Sequence, residues 1–239
     1  MKSNSGGGNS AIRNVCIGYR AGTLLRTGSD NVVIGHGASI SATNAVNQIA
    51  IGKEVIGVAD NSVTLGNANV TDVYMAQDSG ATVHCAGVNF PDTQVASADA
   101  NTLDDYEEGT FTPTWVSGSG TLGSINYSNR VGKYTKIGNA VTITISFYNG
   151  SFDAGTGSGS LKITGLPFTS GAKSSLALGD TRLFGGDNPS EAEVTNSSTN
   201  VTLYFRTASN GANSELQVSD AGTGSGALNL VTLSGTYFV

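Results

Sequence analysis

The apolar residues of the first third of the chain fall in four short runs, each ending in glycine. These are Val15-Cys16-Ile17-Gly18, Val32-Val33-Ile34-Gly35, Ile49-Ala50-Ile51-Gly52 and Val63-Thr64-Leu65-Gly66. The glycines at 18, 35, 52 and 66 are separated by 17, 17 and 14 residues. Self-similarity at so short a period predicts a solenoid, each copy forming one rung of a stacked β-roll. The first and third positions of every run are Val, Ile or Leu, and the middle positions are Cys16, Val33, Ala50 and Thr64. Strand side chains alternate between faces, so the aliphatic set is expected inside the roll and the mixed, mostly small set outside. Glycine suits the positive φ or tight corner that ends each strand. Ala21, Ala38 and Val55, three residues past the first three glycines, suit a second, narrower wall. Asn14, Asn31, Asn47 and Asn61 lead the strands, and asparagine tolerates turn geometry. The fourth copy is shorter and runs into the polar Asn67–Tyr74, which reads as a cap. Four rungs are too few for a comfortable monomer, so this segment is expected to cover its remaining surface with another copy of itself. The outward Cys16, Val33, Ala50 and Thr64 form the expected interface.

Farther along, the pattern changes. Residues 1–13 form a polar leader that reads as an attachment segment, 14–75 the roll, 76–103 a low-pattern connector, and 104–239 a second domain. Val83–Val88 is expected to add one more strand, and a single helical turn is the most that Ala96–Asp105 suggests. Phe111, Pro113 and Trp115 alternate with threonines, a strand signal of period two. The clearest strand is Ala140–Tyr148, with Val141, Ile143, Ile145 and Phe147 on one face. Further strands are expected at Lys133–Ile137, Ser160–Ile163, Ser175–Leu178, Val201–Phe205, Glu215–Val218 and Leu228–Val239, with turns at Asn149-Gly150 and Asn210-Gly211. Roughly eight to ten strands at this spacing predict a jelly-roll-like β-sandwich. The expected fold class is therefore all-β throughout.

Several segments also resemble known families. The pattern Asn-x-x-Ile-Gly-x-x-Ala is similar to the head repeats of trimeric autotransporter adhesins and to rolls in bacteriophage tail fibres. Asn61–Asn67, continuing to Thr71–Tyr74, is of the phage type. Leu103-Asp104-Asp105-Tyr106-Glu107-Glu108-Gly109-Thr110-Phe111-Thr112-Pro113-Thr114 resembles the segment that opens the C-terminal domain of many tail fibre and tail spike proteins. Gly132–Asn139, Ile163–Phe168 and the final Ser234–Val239 fit the same pattern. The resemblance covers residues 14 to about 168 and the last six. It implies an intertwined homotrimer, a virion fibre tip that contacts the host surface, and it transfers no catalytic residue.

Composition agrees with a turn-dense, uncharged-polar β protein. Charged residues are 13%, against roughly 25% in ordinary globular domains, and glycine supplies 33 of 239 residues. A net charge of −6 provides no basic stripe for nucleic acid. No apolar stretch is long enough to span a membrane as a helix. The leader lacks the apolar region of a secretory signal, and no coiled-coil stalk or anchor is recognisable; an adhesin would need all three, whereas a virion protein made in the host cytoplasm needs none. Two cysteines, Cys16 and Cys85, suggest no disulfide framework.

Candidate chemistry is sparse. Asp104, Asp105, Glu107 and Glu108 form the densest carboxylate cluster, and glycoside hydrolysis needs two such groups; at the start of a strand such residues are more often solvated or paired with Lys or Arg. His36 and His84 are the only histidines, and His36 copies meeting on a threefold axis would be needed to make a metal site. No nucleophile triad or phosphate loop is present. A non-enzymatic protein without metal or cofactor is expected. Glycan binding, which joins aromatic faces to amides and carboxylates and gains from several copies, is the better match. Its candidate donors are the loops Tyr148–Gly157, Phe184–Pro189 and Ala208–Asn213, in particular Tyr148, Asn149, Phe184, Asp187, Asn188, Asn210 and Asn213. The expected partners are itself as a homotrimer, an upstream tail or baseplate protein, and host polysaccharide or lipopolysaccharide. The alternatives are a fibre shaft or virion decoration protein without a receptor and, less well supported, a tail spike depolymerase.

Overall fold

The structure, a computed structural model, describes residues 11–91, 93, 102–103, 105–182, 184–185, 188–206, 213–226 and 228–239. The leader through residue 10, Asp104 and most of Ala96–Asp105 lie outside the described residues. The chain divides after Gly87 into two units. Among the described residues, the only helix is one 3-10 turn, and none is long and apolar enough to cross a membrane.

In the first unit, β1 (Val15–Ile17), β2 (Val32–Ile34), β3 (Gln48–Ile51) and β4 (Ser62–Leu65) lie side by side in that order as a parallel sheet. Pairing follows the repeat: Val15, Val32, Ile49 and Val63 form one row, and Ile17, Ile34, Ile51 and Leu65 another. Gly18, Gly35, Gly52 and Gly66 have φ of 122°, 136°, 138° and 81°. A methyl group on Gly35 would stand 2.1 Å from the Gly52 carbonyl oxygen. Both the corner and the close stacking therefore require glycine.

The two faces of these strands are the reverse of the sequence expectation. Val33 and Ala50 are fully buried, and Cys16 packs against them from the first rung; Val15, Ile17, Ile51, Val63 and Leu65 are exposed. Width explains the reversal. The interior is only a thin layer between the strands and the opposing Ala38, Ile40, Ala45 and Val55, so the small middle residues fit there and the larger pairs stay outside. Cys16, Val33, Ala50 and Thr64 are thus lining residues of the interior, not the outward set proposed as an interface.

A polar ladder runs through the same unit, four residues before each of the first three glycines. Asn14 Oδ1 accepts from both the backbone N–H and the side-chain amide of Asn31, each at 2.9 Å. Asn31 Oδ1 accepts from the Gln48 N–H at 2.9 Å, and Asn31 Nδ2 donates to the Ala45 carbonyl at 2.7 Å. Gln48 Nε2 donates to Ser41 Oγ and Asp60 Oδ1. Asn31 and Gln48 are fully buried, so a one-rung slip would orphan several polar groups at once. The residues one step earlier, Arg13, Asp30, Asn47 and Asn61, all have φ between 53° and 62°. The asparagines therefore serve two positions that follow their offsets from the glycine: Asn14 and Asn31, four residues before it, are ladder members, and Asn47 and Asn61, five before it, are left-handed turns.

The second unit is one curled antiparallel sheet. Its strands are β5 (Tyr106–Phe111), β6 (Thr114–Ser119), β7 (Ile125–Ile137), β8 (Ala140–Phe152), β9 (Ser158–Thr164), β10 (Ser174–Arg182), β11 (Glu191–Val194), β12 (Asn200–Arg206), β13 (Asn213–Glu215), β14 (Gly224–Ser225) and β15 (Leu230–Phe238). The order is β5-β7-β8-β15-β10-β11-β12-β9-β6, with β13 on β12 and β14 on β8. The first and last strands of that order are joined only by Thr112 and Pro113. So short a link forces the sheet to curl back on itself. The curl encloses Trp115, Phe147, Leu161, Ile163, Leu203, Val231 and Tyr237. Val141, Ile143, Ile145 and Phe147 of β8 all face this core.

Four local expectations change. The threonine-alternating run around Pro113 is two strands rather than one, because proline has no N–H for a ladder. Asn149-Gly150 is no turn: β8 continues through it to Phe152, paired with Ile125 and Asn126 of β7 across register shifts. Glu215–Val218 is strand only at Glu215, after which Val218–Asp220 form the 3-10 turn, the Gln217 N–H donating to Asp220 Oδ2 at 2.8 Å. Val83–Val88 forms no strand; β4 is the last member of the parallel sheet, and nothing there extends it.

Candidate functional site

The residues proposed for receptor binding scatter over different environments. Asn149 is fully buried, its Oδ1 accepting from Trp115 Nε1 at 3.2 Å, so it satisfies the core indole. Phe184 is also core, with its ring edge-on to Trp115 at 6.2 Å. Tyr148 is half-buried within β8, and Asn188 is exposed ahead of the buried Pro189. Asp187 and Asn210 lie outside the described residues. Among the described candidates, Asn213 lines a concave surface.

That surface is a groove of about 540 Å³ on the outer side of β10, β11 and β12. Strand alternation builds it. In β11, Ala192 and Val194 enter the core, which sends Glu191 and Glu193 outward. Register sets Ser175 beside Glu193 and Tyr204 beside Glu191, with Glu215 on the far side of Tyr204. Glu193 pairs with Lys173 at 2.7 Å, and Asn213 Nδ2 donates to Glu191. The hydrogen bond to Glu193 holds the Lys173 ammonium above its usual pKa. Partial burial, then the Glu193 and Glu215 carboxylates, push the Tyr204 phenol up, so it stays a neutral donor at physiological pH. The sequence signal was the Glu-x-Glu alternation beside Ala and Val, a strand feature overlooked by a search confined to loops.

The other concavities differ in chemistry. Depressions of about 470 and 390 Å³ lie on the opposite half of the sheet, among Thr110, Lys133, Thr142 and Thr144, and among Val131, Ser146, Thr232 and Ser234. The first also carries Glu108, Tyr134 and Lys133, the second is lined mainly by aliphatic and hydroxyl groups, and the β10–β12 groove joins an aromatic ring and two carboxylates to the Asn213 amide.

The acidic cluster is engaged in holding β5 in place. Asp105 pairs with Lys136, the Tyr134 hydroxyl donates to Glu107, and the Tyr106 hydroxyl donates to Glu108 at 2.9 Å. Its hydrogen bond to Glu107 pushes the Tyr134 phenol up to about 12. His36 stacks on Tyr19 with centroids 5.5 Å apart, and His84 and Cys85 are exposed. Among the described residues, no three His, Cys, Asp or Glu side chains are grouped to hold a metal ion. No protein-family model matches the chain, and comparison with the curated proteins finds no match.

Proposed function

We propose that this chain is a bacteriophage tail fibre protein, a homotrimer that attaches the virion to a host-surface glycan through its C-terminal unit. One observation carries the self-association: the outward face of β1–β4 consists of two rows of four aliphatic side chains, five of them exposed among the described residues. Val15, Ile17, Ile51, Val63 and Leu65 are 46%, 57%, 38%, 60% and 46% exposed. A contiguous apolar sheet face of this kind is what an interface leaves bare in a single chain. Covering each half-exposed side chain contributes on the order of 1 kcal/mol. The rows are parallel and in register, so identical copies can meet them by rotation about one axis. The threefold choice, the virion setting and the attachment role come from the resemblance of residues 103–114 and of the repeats to tail fibres. In this reading the repeats form a solenoid whose aliphatic rows converge on the trimer axis, and an upstream tail or baseplate protein holds the N-terminal end.

The test has two arms. Mass measurement of the intact protein is expected to give a trimer, and Ile17→Asp with Leu65→Asp is expected to give monomer. The purified trimer is expected to block phage adsorption to host cells. A wild-type monomer would sink the assembly, and a trimer that never competes would leave a fibre shaft instead.

A further inference from the structure

Strand β10 serves both halves of the curled sheet. Ser174–Leu176 pair with β11, and Ala177–Arg182 pair with β15, with a register shift between Leu178 and Asp180. The groove of about 540 Å³ lies at this changeover, lined by Ser175–Leu178 of β10, Glu191–Glu193 of β11, Tyr204 of β12 and Asn213 of β13. That size falls in the range of roughly 300–1,000 Å³ typical of small-molecule sites. Ser175, Ala177 and Ser190 keep its floor low, while Lys173, Glu193 and Tyr204 stand around it.

The walls are ordered before any ligand arrives. Glu193 is held by Lys173, and its side chain is only 14% exposed. Asn213 is tied to Glu191, and the Ser190 N–H donates to the Tyr204 carbonyl at 2.8 Å. Pre-ordered polar groups cost little further entropy on binding. A pyranose matches them: carboxylates accept from its hydroxyls, the Asn213 amide both donates and accepts, and the Tyr204 ring covers C–H groups. Among the described side chains lining the groove, two carboxylates face one ammonium, a net charge of −1. The neighbouring Lys162 and Glu215 offset each other at 3.8 Å. Uronic, sialic or phosphorylated sugars would meet like charge there, at a cost in affinity.

We propose that the β10–β12 groove binds a neutral or amine-bearing pyranose of a bacterial surface glycan, an inference that rests on the attachment reading above. The probe is an array of purified O-antigen and capsular polysaccharides with neutral, amine-bearing and acidic members, offered to the intact protein. Wild type is expected on neutral or amine-bearing members, with binding at least about tenfold weaker in Tyr204→Ala and Asn213→Ala. Tyr204→Phe, which keeps the ring, is expected to retain more than Tyr204→Ala, and Lys133→Ala, in the other depressions, to bind as wild type. Should Tyr204→Ala not fold, Asn213→Ala, at an exposed strand start, carries the same expectation. Binding confined to acidic glycans, or undiminished in both groove variants, overturns the groove while attachment stands. A wild type that binds no glycan and blocks no adsorption removes both.

Discussion

The two units use the same alternation of side chains in opposite senses. In β8, Val141, Ile143, Ile145 and Phe147 point into a core deep enough for Trp115 and Tyr237, and Thr142 and Thr144 point out. In β1–β4 the interior takes Cys16, Val33 and Ala50, and the Val, Ile and Leu pairs point out. Alternation therefore defines two faces without saying which is inside; the depth of the layer behind the strand decides. The difference also separates how each unit is completed. The curled sheet encloses its large apolar residues within one chain, whereas the stacked unit leaves several of its Val, Ile and Leu side chains exposed.

The largest expected effect removes the strand on which the second unit depends most. β15 lies between β8 and β10 in the sheet order and carries Val231, Leu233 and Tyr237 into the core. The Tyr237 hydroxyl also donates to the Phe168 carbonyl at 3.1 Å. Deleting residues 230–239 should abolish cooperative unfolding of this unit, read by the fluorescence of Trp115, the chain's single tryptophan. Hydrogen exchange at residues 15–66 should stay protected, because a stack of rungs relies on neighbouring rungs. Loss of protection in both would mean that the two units do not fold separately.

A pair of substitutions sharpens the contrast within the stacked unit. Val33→Asp places an unpaired carboxylate in the thin interior, costing roughly 3 kcal/mol or more and opening the rungs to exchange. Ile17→Asp puts the same charge on the outward row, where the monomer solvates it, so exchange protection should persist in the isolated chain while the proposed self-association weakens. Equal loss of protection in both variants would show that the outward row is part of the monomer's own core.

Much of this was legible in the sequence. The glycine steps marked four short strands, which pair in register as one parallel sheet, and the β8 alternation located the main core. What escaped were features set by neighbours distant in sequence. Asn149 sits in a dipeptide that reads as a turn, yet the Trp115 indole and the pairing strand β7 hold it extended and buried. Phe184 reads as a loop aromatic, yet it completes the packing around Trp115. The groove is assembled by the pairing of β10, β11, β12 and β13, which no local pattern reports; Glu191 and Glu193 mark only which face they share.

The smallest expected effect sets the units apart by pH. In the stacked unit, hydrogen bonds from the Val46 N–H and the Gln48 amide hold the Asp60 carboxyl below its usual value, and the Arg13 pair does the same for Asp30. A depressed carboxylate stabilises the fold above its unfolded pKa of about 3.9, and that contribution is lost as pH falls through the folded value. In the curled sheet, Tyr134 keeps its proton to about 12, whereas an unfolded tyrosine ionises near 10. Between those values the native state holds more protons than the unfolded chain, so stability falls as pH rises. Acid should therefore loosen residues 15–66 first, and alkali the Trp115 signal first. Asp60→Asn should flatten the acid limb and Tyr134→Phe the alkaline one, each leaving the other limb in place. If Tyr134→Phe leaves the alkaline limb of the Trp115 transition unchanged, the Glu107 contact does not set that unit's response to pH.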